Sequence, residues 1–430
     1  MKKTAIILFA FFLGISFLKA DSFMKDGLSN EFLIPFQNRE LYRAPVDDPL
    51  IDSLAAYADR LGERLNGVVL VARHDTILLE KAYGYLELFK NTRGYENVTD
   101  NDLEALRDRQ GNAMTTNTLF ELASVSKQFT AAAILKLCHD GKLKLTDSLE
   151  QYIPGTPYGK VTIKQMLSHN SGLPEYFNFD YTVYDTTPFI TNEQLIEVLK
   201  KNPTQWMFKP SQGYSYTNTN YALLASIVSI VSGMKFEQYV RDYLWKPAGM
   251  KNTYYFTELV GLYPDRQQPA ISVRKGQEFA NVRALDGITS SPISRGHFKG
   301  GSLAQYDRLN GVLGDKGVYT TAEDLVRWTN TYFIDCKILP KELIAEATKM
   351  QNKTSNGIIP KDLYGYGLHL EDKENGYLVY HGGLWNGYHN LWVYRPKDGV
   401  QIIYLSNFYN YSHPGQSRIW LKLIDEMMKR

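Results

Sequence analysis

Ser124 and Lys127 stand three residues apart in FELASVSKQFTAAAILKL, the stretch from residue 120 to 137. At this spacing two side chains share one face of a helix, so the lysine amine can reach the serine hydroxyl. A serine alcohol becomes a good nucleophile only when a neighbour takes its proton, and a lysine does so when burial or nearby cations lower its pKa. The pair therefore makes Ser124 a candidate nucleophile.

The Ser-x-x-Lys pattern on its own is weak, because an ordinary helix start with a solvated lysine produces it too. The chain contains five matches, which begin at Ser16, Ser22, Ser124, Ser232 and Ser272. Only the match at Ser124 opens a convincing helix, and the alanines at 131–133 suit a helix that lies in a crowded interior. The context thus selects Ser124 as the candidate nucleophile.

A second candidate group stands in PSQGYSYTNTNYALLASIVSIVSG, where Tyr216-Thr217-Asn218 directly precedes a long apolar helix. A loop at this point can present a phenol and an amide to a cleft. Close to a lysine the pKa of the phenol is expected to fall, which makes Tyr216 a candidate general base and acid. The alternative is a loop tyrosine without function.

A third group stands in YHGGLWNGYHN, where His381-Gly382-Gly383 ends a predicted strand. The glycines leave room for a substrate backbone to lie alongside that strand. The backbone N–H groups of Leu384 and Ser124 are then expected to form an oxyanion hole. Taken alone, His381 is more typical of a strand-edge histidine without function.

In this order and this far apart, the three motifs resemble those of the serine β-lactamase-like hydrolases, which include class C β-lactamases, D-Ala-D-Ala carboxypeptidases, D-aminopeptidases and related esterases. The resemblance extends from about residue 51 to the C terminus. It implies that Ser124 is the acylated nucleophile, Lys127 its proton acceptor and Tyr216 the general base and acid. It also implies that Asn218 binds the substrate amide and that His381 stands where β-lactamases usually have a lysine.

The chain departs from the family pattern at the third motif. A Lys-Thr-Gly sequence supplies a cation and a hydroxyl for a substrate carboxylate, whereas His381-Gly382-Gly383 lacks the hydroxyl and makes the charge depend on pH. Peptidase or esterase activity is therefore expected rather than efficient β-lactamase activity. The glutamate that activates water in class A enzymes has no counterpart, which leaves that task to Tyr216. The stretch VTIKQMLSHNSGLP is interpreted as structural, so His169 is left out of the site.

The elements around these motifs predict an α+β fold. Apolar residues at helical spacing begin at Ile51, two strands follow at 68–73 and 77–83, and short β-like runs return from Tyr364 before a closing helix at 419–427. Strands at both chain ends are expected to pair into one antiparallel sheet flanked by terminal helices. The middle of the chain is expected to form an all-helical lobe.

These elements place the domain boundaries. A hydrolase domain is expected over 51–430, with a mixed lobe at about 51–115 and 316–430 and a helical lobe at about 116–315. The site is then expected in the cleft between the lobes. The turn-rich stretch 258–316 is expected to shape the mouth of that cleft.

The N terminus has the pattern of a cleaved secretory signal at residues 1–20, with two lysines, an apolar stretch and a small residue at the end. The uncharged stretch between Lys3 and Lys19 is at most about as long as the minimum for spanning a bilayer, so a retained anchor is the less favoured alternative. Residues 21–50 carry three prolines and predict an extended arm. A secreted or periplasmic protein without a stable membrane span is expected.

Composition disfavours several other classes of protein. The 48 basic and 46 acidic residues give a formal charge of +2 without a long single-sign run, so nucleic acid is not an expected partner. The two cysteines, Cys138 and Cys336, are too few for a disulfide scaffold or a CxxC site, and the sequence leaves open whether they pair. No HExxH, Walker A or GxSxG pattern occurs, so neither a metal nor a cofactor is expected.

The main hypothesis is a secreted serine hydrolase that forms an acyl-enzyme through Ser124. Its substrate would be a small molecule or peptide with an amide or ester bond, and D-amino-acid peptides and cell-wall fragments are candidates. One alternative is a non-catalytic protein that binds peptidoglycan-like ligands, which the altered third motif and the 30 tyrosines favour. Another is a penicillin-binding protein that deacylates slowly. The sequence leaves the oligomeric state open.

Overall fold

Strands from both ends of the chain pair into one eight-stranded sheet. The computed structural model describes residues 35–43, 49–61, 66–87, 113–184, 189–201, 205–259, 289, 291–298, 303–304, 306–353, 363–373 and 376–409. The strands are β1 (Tyr42–Arg43), β2 (Gly67–Arg73), β3 (Thr76–Tyr83), β4 (Phe120–Glu121), β5 (Tyr254–Tyr255), β6 (Val318–Thr320), β7 (Leu363–Tyr364), β8 (His369–Lys373), β9 (Gly376–Trp385), β10 (Tyr388–Arg395) and β11 (Val400–Ser406). The large sheet has the order β1-β3-β2-β11-β10-β9-β8-β7, and its neighbours are antiparallel except β1 and β3. The prediction of a sheet built from both chain ends is confirmed.

Most helices lie in the chain between β3 and β7. They are α1 (Pro49–Leu61), α2 (Lys127–His139), α3 (Leu149–Tyr152), α4 (Ile163–Leu167), α5 (Asn192–Lys201), α6 (Asn218–Ser232), α7 (Phe236–Val240), α8 (Lys246–Ala248), α9 (Phe256–Leu259), α10 (Ala322–Thr329) and α11 (Lys341–Ala347). The helical region also contains a small sheet of order β4-β6-β5. The sequence does not predict this sheet, because strands of two or three residues are too short to show a periodic pattern.

The centre of the large sheet separates two apolar cores. Leu70 lies opposite Ile403, and Val71 lies opposite Ile402. Because successive strand residues point to opposite faces, the first pair joins the large core that includes the helical region. The second pair joins a smaller core that α1 covers through Ile51. The continuous apolar sequence of β2 follows from burial on both faces.

Small residues allow helix α2 to lie close to its neighbours. Its alanines at 131–133 are buried, and it packs against α6. The backbone at Gly367 also comes close, since a Cβ there would lie 2.8 Å from the carbonyl oxygen of Lys127 and 3.0 Å from the Cβ of Ala131. The small side chains allow both approaches and place the start of α2 in the interior.

The described part of the predicted N-terminal arm contacts three separate parts of the chain. Arg39 forms ion pairs with Asp75, between β2 and β3, at 2.6 Å and with Asp335, after α10, at 2.5 Å. The N–H of Gln37 donates to the carbonyl of Lys246, at the start of α8, at 2.8 Å. The predicted signal at 1–20 and the predicted closing helix at 419–427 lie outside the described residues.

Both cysteines of the chain lie among the described residues. Cys138 and Cys336 are both free thiols, so they do not form a disulfide with each other. No group of three or more His, Cys, Asp or Glu side chains is arranged to hold a metal in this part of the chain. Within the same residues, no helix combines the length and the apolar character that a membrane crossing requires.

Candidate active site

The turn that carries Ser124 is strained and firmly held. Ala123 has a φ of 51°, in the left-handed region that non-glycine residues rarely adopt. The carboxyl group of Glu121, at the end of β4, accepts the N–H of Ala123 at 3.3 Å and that of Gly317 at 2.8 Å. These bonds fix the backbone that presents Ser124 at the start of α2.

Lys127 is completely buried, and its amine contacts three parts of the chain. It donates to Ser124 Oγ at 2.9 Å, to Asn218 Oδ1 at 2.8 Å and to the backbone oxygen of Asp315 at 2.9 Å. Asn218 and Asp315 are 91 and 188 residues away in sequence. The tertiary fold, and not the local helix alone, therefore sets the position of the amine.

Burial lowers the pKa of Lys127 to about 7. Taking an ammonium group out of water disfavours the charged form. The carboxylates of Asp315 and Glu175 raise this pKa, and the cation of Lys316 lowers it, but neither effect equals that of burial. The uncharged amine, which has a lone pair free to accept a proton, is therefore well populated near neutral pH.

Tyr216 lies against the same pair, but its phenol is not made acidic. The Lys127 amine is 4.9 Å from the centroid of the Tyr216 ring. The Tyr216 hydroxyl is buried, with no hydrogen-bond partner at normal geometry in the described part of the chain. Burial raises the phenol pKa well above its usual value, and the Ser124 hydroxyl offsets this only in part. The expectation that the pKa falls is wrong, because desolvation of the phenolate dominates.

Glu175 is a site residue that the sequence motifs did not reveal. Its Oε2 accepts both the backbone N–H and the side-chain amide of Asn218, each at 2.9 Å. Asn218 is the first residue of α6, where N–H groups lack helical partners and a carboxylate is favourable. Glu175 thus holds the amide so that its oxygen faces Lys127. In the sequence, Glu175 stands out only by its position directly after VTIKQMLSHNSGLP, the stretch that is interpreted as structural.

His169, which the sequence interpretation left out of the site, lies behind Tyr216 with 4.3 Å between the ring centroids. Its Nδ1 accepts the N–H of Thr217 at 3.2 Å and the side-chain amide of Asn220 at 3.0 Å. An Nδ1 that accepts two bonds carries no proton. Burial also keeps the His169 pKa well below its usual value. The ring therefore acts as an uncharged support for the loop.

His381 is also buried and neutral. Its Nδ1 donates to the carbonyl of Gly382 at 2.6 Å, and its Nε2 accepts from the hydroxyl of Tyr364 at 3.0 Å. Burial, aided by His369 and Lys127, holds the His381 pKa well below its usual value. The expectation that the charge of this motif depends on pH is wrong over the working range, because the buried imidazole does not take up a proton there.

Gly383 lets β9 approach the turn that carries the nucleophile. A Cβ on Gly383 would lie 2.1 Å from the carbonyl oxygen of Leu122 and 3.3 Å from the Cβ of Ala123. The next residue, Leu384, has 49% of its surface exposed. Since alternate strand residues point to opposite faces, the Leu384 side chain points away from the turn. The backbone N–H of Leu384 directly follows the residue that packs on this turn.

This close approach predicts that Gly383→Ala destabilises the protein while Gly382→Ala is tolerated. The Cβ at 383 would overlap backbone atoms, which cannot swing aside, and overpacking of this kind typically costs about 1–3 kcal/mol. A Cβ at 382 would meet nothing nearer than the carbonyl oxygen of Asn390 at 3.8 Å. Urea unfolding of both variants measures the difference. Equal midpoints for the two variants would contradict the close packing of β9 on the turn.

A buried ion pair lies next to Lys127. The amine of Lys316 is 3.6 Å from a carboxylate oxygen of Asp315, and these two side chains are 3% and 1% exposed. Tyr176 links them, because its hydroxyl donates to Asp315 at 3.0 Å and accepts from Lys316 at 2.6 Å. No sequence motif pointed to this group, since Tyr176 and Asp315 are 139 residues apart.

Comparison with protein families matches residues 54–424 to the family described as Beta-lactamase. The match covers most of the chain. A curated penicillin-binding protein of Bacillus subtilis (strain 168) is 29% identical over 356 residues, which are 81% of this chain and 70% of that protein.

Two solved structures share the fold. The octameric penicillin-binding protein homologue from Pyrococcus abyssi has a TM-score of 0.63 at 24% identity, covering 88% of this chain and 78% of that one. A D-amino acid amidase from Ochrobactrum anthropi SV3 has a TM-score of 0.60 at 19% identity, covering 84% and 92%. The architecture is therefore the β-lactamase/transpeptidase-like α+β fold, and the chain belongs to the β-lactamase family.

Proposed function

We propose that the protein is a secreted or periplasmic serine hydrolase that cleaves an amide or ester through an acyl-enzyme on Ser124. The contact between Lys127 and Ser124 carries this proposal. A fully buried amine with a pKa of about 7 lies 2.9 Å from the serine hydroxyl. A base with a pKa near the working pH is efficient, because it is both deprotonated and basic enough to take a proton.

In the proposed acylation step, the uncharged Lys127 amine takes the proton of Ser124 while Oγ bonds to the substrate carbonyl carbon. The carbonyl electron pair moves onto oxygen, which the N–H groups of Ser124 and Leu384 stabilise. The tetrahedral intermediate then collapses, and the bond to the leaving amine or alcohol breaks. The second amide hydrogen of Asn218, whose first hydrogen is held by Glu175, is available to the substrate.

We assign Tyr216 the role of an acid rather than that of the first base. Its raised pKa keeps the phenol protonated at neutral pH, so the phenol can give its proton to the leaving group. The proton on Lys127 then restores the phenol. In deacylation the Lys127 amine takes a proton from water, water oxygen attacks the acyl carbon, and Ser124 leaves with the proton that Lys127 returns.

The relatives support a peptide or a peptide-like compound as the substrate. One relative by sequence is a penicillin-binding protein, and a D-amino acid amidase shares the fold. The neutral His381 provides no cation for a carboxylate at the third motif. These observations favour a peptidase or esterase, with D-amino-acid peptides or cell-wall fragments as substrates, over an efficient β-lactamase.

Intact-protein mass spectrometry tests the proposal. Wild type and Ser124→Ala are exposed briefly to a penicillin and, separately, to an activated ester such as p-nitrophenyl acetate. Wild type is expected to gain the mass of the acyl group and then lose it, whereas the variant stays unmodified. If folded wild type forms no adduct with either probe, the proposal fails.

A second candidate is a penicillin-binding protein that acylates readily and deacylates slowly. The raised pKa of Tyr216 bears on this candidate, because a phenol that stays protonated leaves the activation of water to Lys127 alone. The same mass spectra separate the two candidates through the lifetime of the adduct. If the penicillin adduct and the ester adduct both persist and neither compound is turned over, the protein is the slowly deacylating penicillin-binding protein.

A further inference from the structure

An aromatic pair at the edge of the site has no part in the proposed reaction. Phe177, from the helical lobe, stacks on Trp385, at the end of β9, with 5.2 Å between ring centroids and 28° between ring planes. Phe177 is 36% exposed, and Trp385 is partly buried. The pair therefore joins the two lobes and leaves apolar surface open.

Both rings follow residues that contact the proposed catalytic groups. Phe177 comes two residues after Glu175, which holds Asn218 at 2.9 Å. Trp385 comes two residues after Gly383, which abuts the turn that carries the nucleophile, and residues two apart on a strand share a face. The Lys316 amine, which lies over both rings, is 3.6 Å from Asp315, and the backbone oxygen of Asp315 accepts from the Lys127 amine at 2.9 Å. These contacts place the aromatic pair next to the proposed catalytic groups.

The polar groups around the pair already have partners within the described residues. The indole N–H of Trp385 donates to Asn310 at 2.7 Å. The Lys316 amine lies 5.1 Å from the Trp385 ring centroid and 5.8 Å from that of Phe177, and it donates to Tyr176 at 2.6 Å. A sugar or a carboxylate would be desolvated there without new hydrogen bonds, which is unfavourable. The pair therefore suits an apolar group.

We propose that Phe177 and Trp385 form a subsite for an apolar side chain, aromatic or branched aliphatic, on the acyl half of the substrate. This inference rests on the proposed function. The acyl half stays bonded to Ser124 through both chemical steps, so a subsite next to the catalytic groups binds it in both. Stacking on an aromatic ring and burial of apolar area both favour such a side chain over a methyl group.

The test uses the amides and methyl esters of alanine and phenylalanine in both configurations, because their leaving groups are too small to occupy the subsite. Wild type is expected to prefer the phenylalanine compounds by about tenfold or more in kcat/KM. Phe177→Ala is expected to remove most of that preference, and Phe177→Leu to restore part of it. Val183→Ala is the matched control, since Val183 is an apolar residue of the same lobe that is 74% exposed.

A binding measurement accompanies the kinetics. Benzylboronic acid and methylboronic acid bond reversibly to a nucleophilic serine, so their dissociation constants report on the subsite without turnover. The inference is overturned if wild type binds both acids equally, or if Phe177→Ala weakens both equally, as a merely structural pair would. If neither acid distinguishes wild type from Ser124→Ala, the proposed function itself fails.

Discussion

Ser124→Ala is expected to lower kcat/KM by roughly three or more orders of magnitude toward any amide or ester that wild type cleaves. The variant lacks the oxygen that bonds to the carbonyl carbon in the proposed reaction. The fold is expected to persist, because the Lys127 amine keeps its bonds to Asn218 and Asp315. Steady-state kinetics and thermal unfolding of wild type and variant measure both parts of this result.

Ser126→Ala is the control for this experiment. Ser126 lies in the same turn and is buried, and among the described residues its hydroxyl accepts a single long bond of 3.4 Å from the N–H of Val318. Its loss is expected to lower the melting temperature slightly and to leave most of the activity. If Ser126→Ala is as inactive as Ser124→Ala while both stay folded, the loss reflects disturbance of the turn, and Ser124 is not the nucleophile.

The central strands could be predicted from the sequence because their pattern is local. The predicted strands at 68–73 and 77–83 agree within one residue with β2 and β3. A run such as GVVLVAR is typical of a strand buried on both faces, and the turn between the strands is marked by polar residues. The small sheet of β4, β5 and β6 could not be predicted, since its short strands depend on tertiary pairing.

The sequence located the motifs but not their charge states. Spacing alone suggested the contact between Ser124 and Lys127, which the structure shows at 2.9 Å. The pKa directions of Tyr216 and His381 depend on burial, which a motif does not reveal. Glu175 was missed for a related reason, because it acts through Asn218, 43 residues along the chain.

The second large effect is expected at Lys127. Lys127→Met keeps a long, unbranched side chain but removes the base, so acylation by an activated ester is expected to fall by about three orders of magnitude.

In wild type, acylation is expected to rise with pH around a midpoint near 7. The sign follows from the lowered pKa: the amine loses its proton near pH 7 rather than at its ordinary value of 10.5, and only the uncharged form accepts the Ser124 proton. Stopped-flow acylation across pH 5–9 measures the midpoint.

Neighbouring charges identify which group sets that midpoint. Glu175 raises the Lys127 pKa and Lys316 lowers it, so Glu175→Gln is expected to move the midpoint to lower pH and Lys316→Met to move it to higher pH. Burial also raises the pKa of Glu121 to about 7, which makes Glu121 the competing source of a neutral midpoint. Glu121→Gln is expected to leave the midpoint in place. The opposite outcome is that the pH dependence of acylation disappears in Glu121→Gln while its midpoint does not move in the other two variants. The titrating group would then be Glu121, and the proposed base would be wrong.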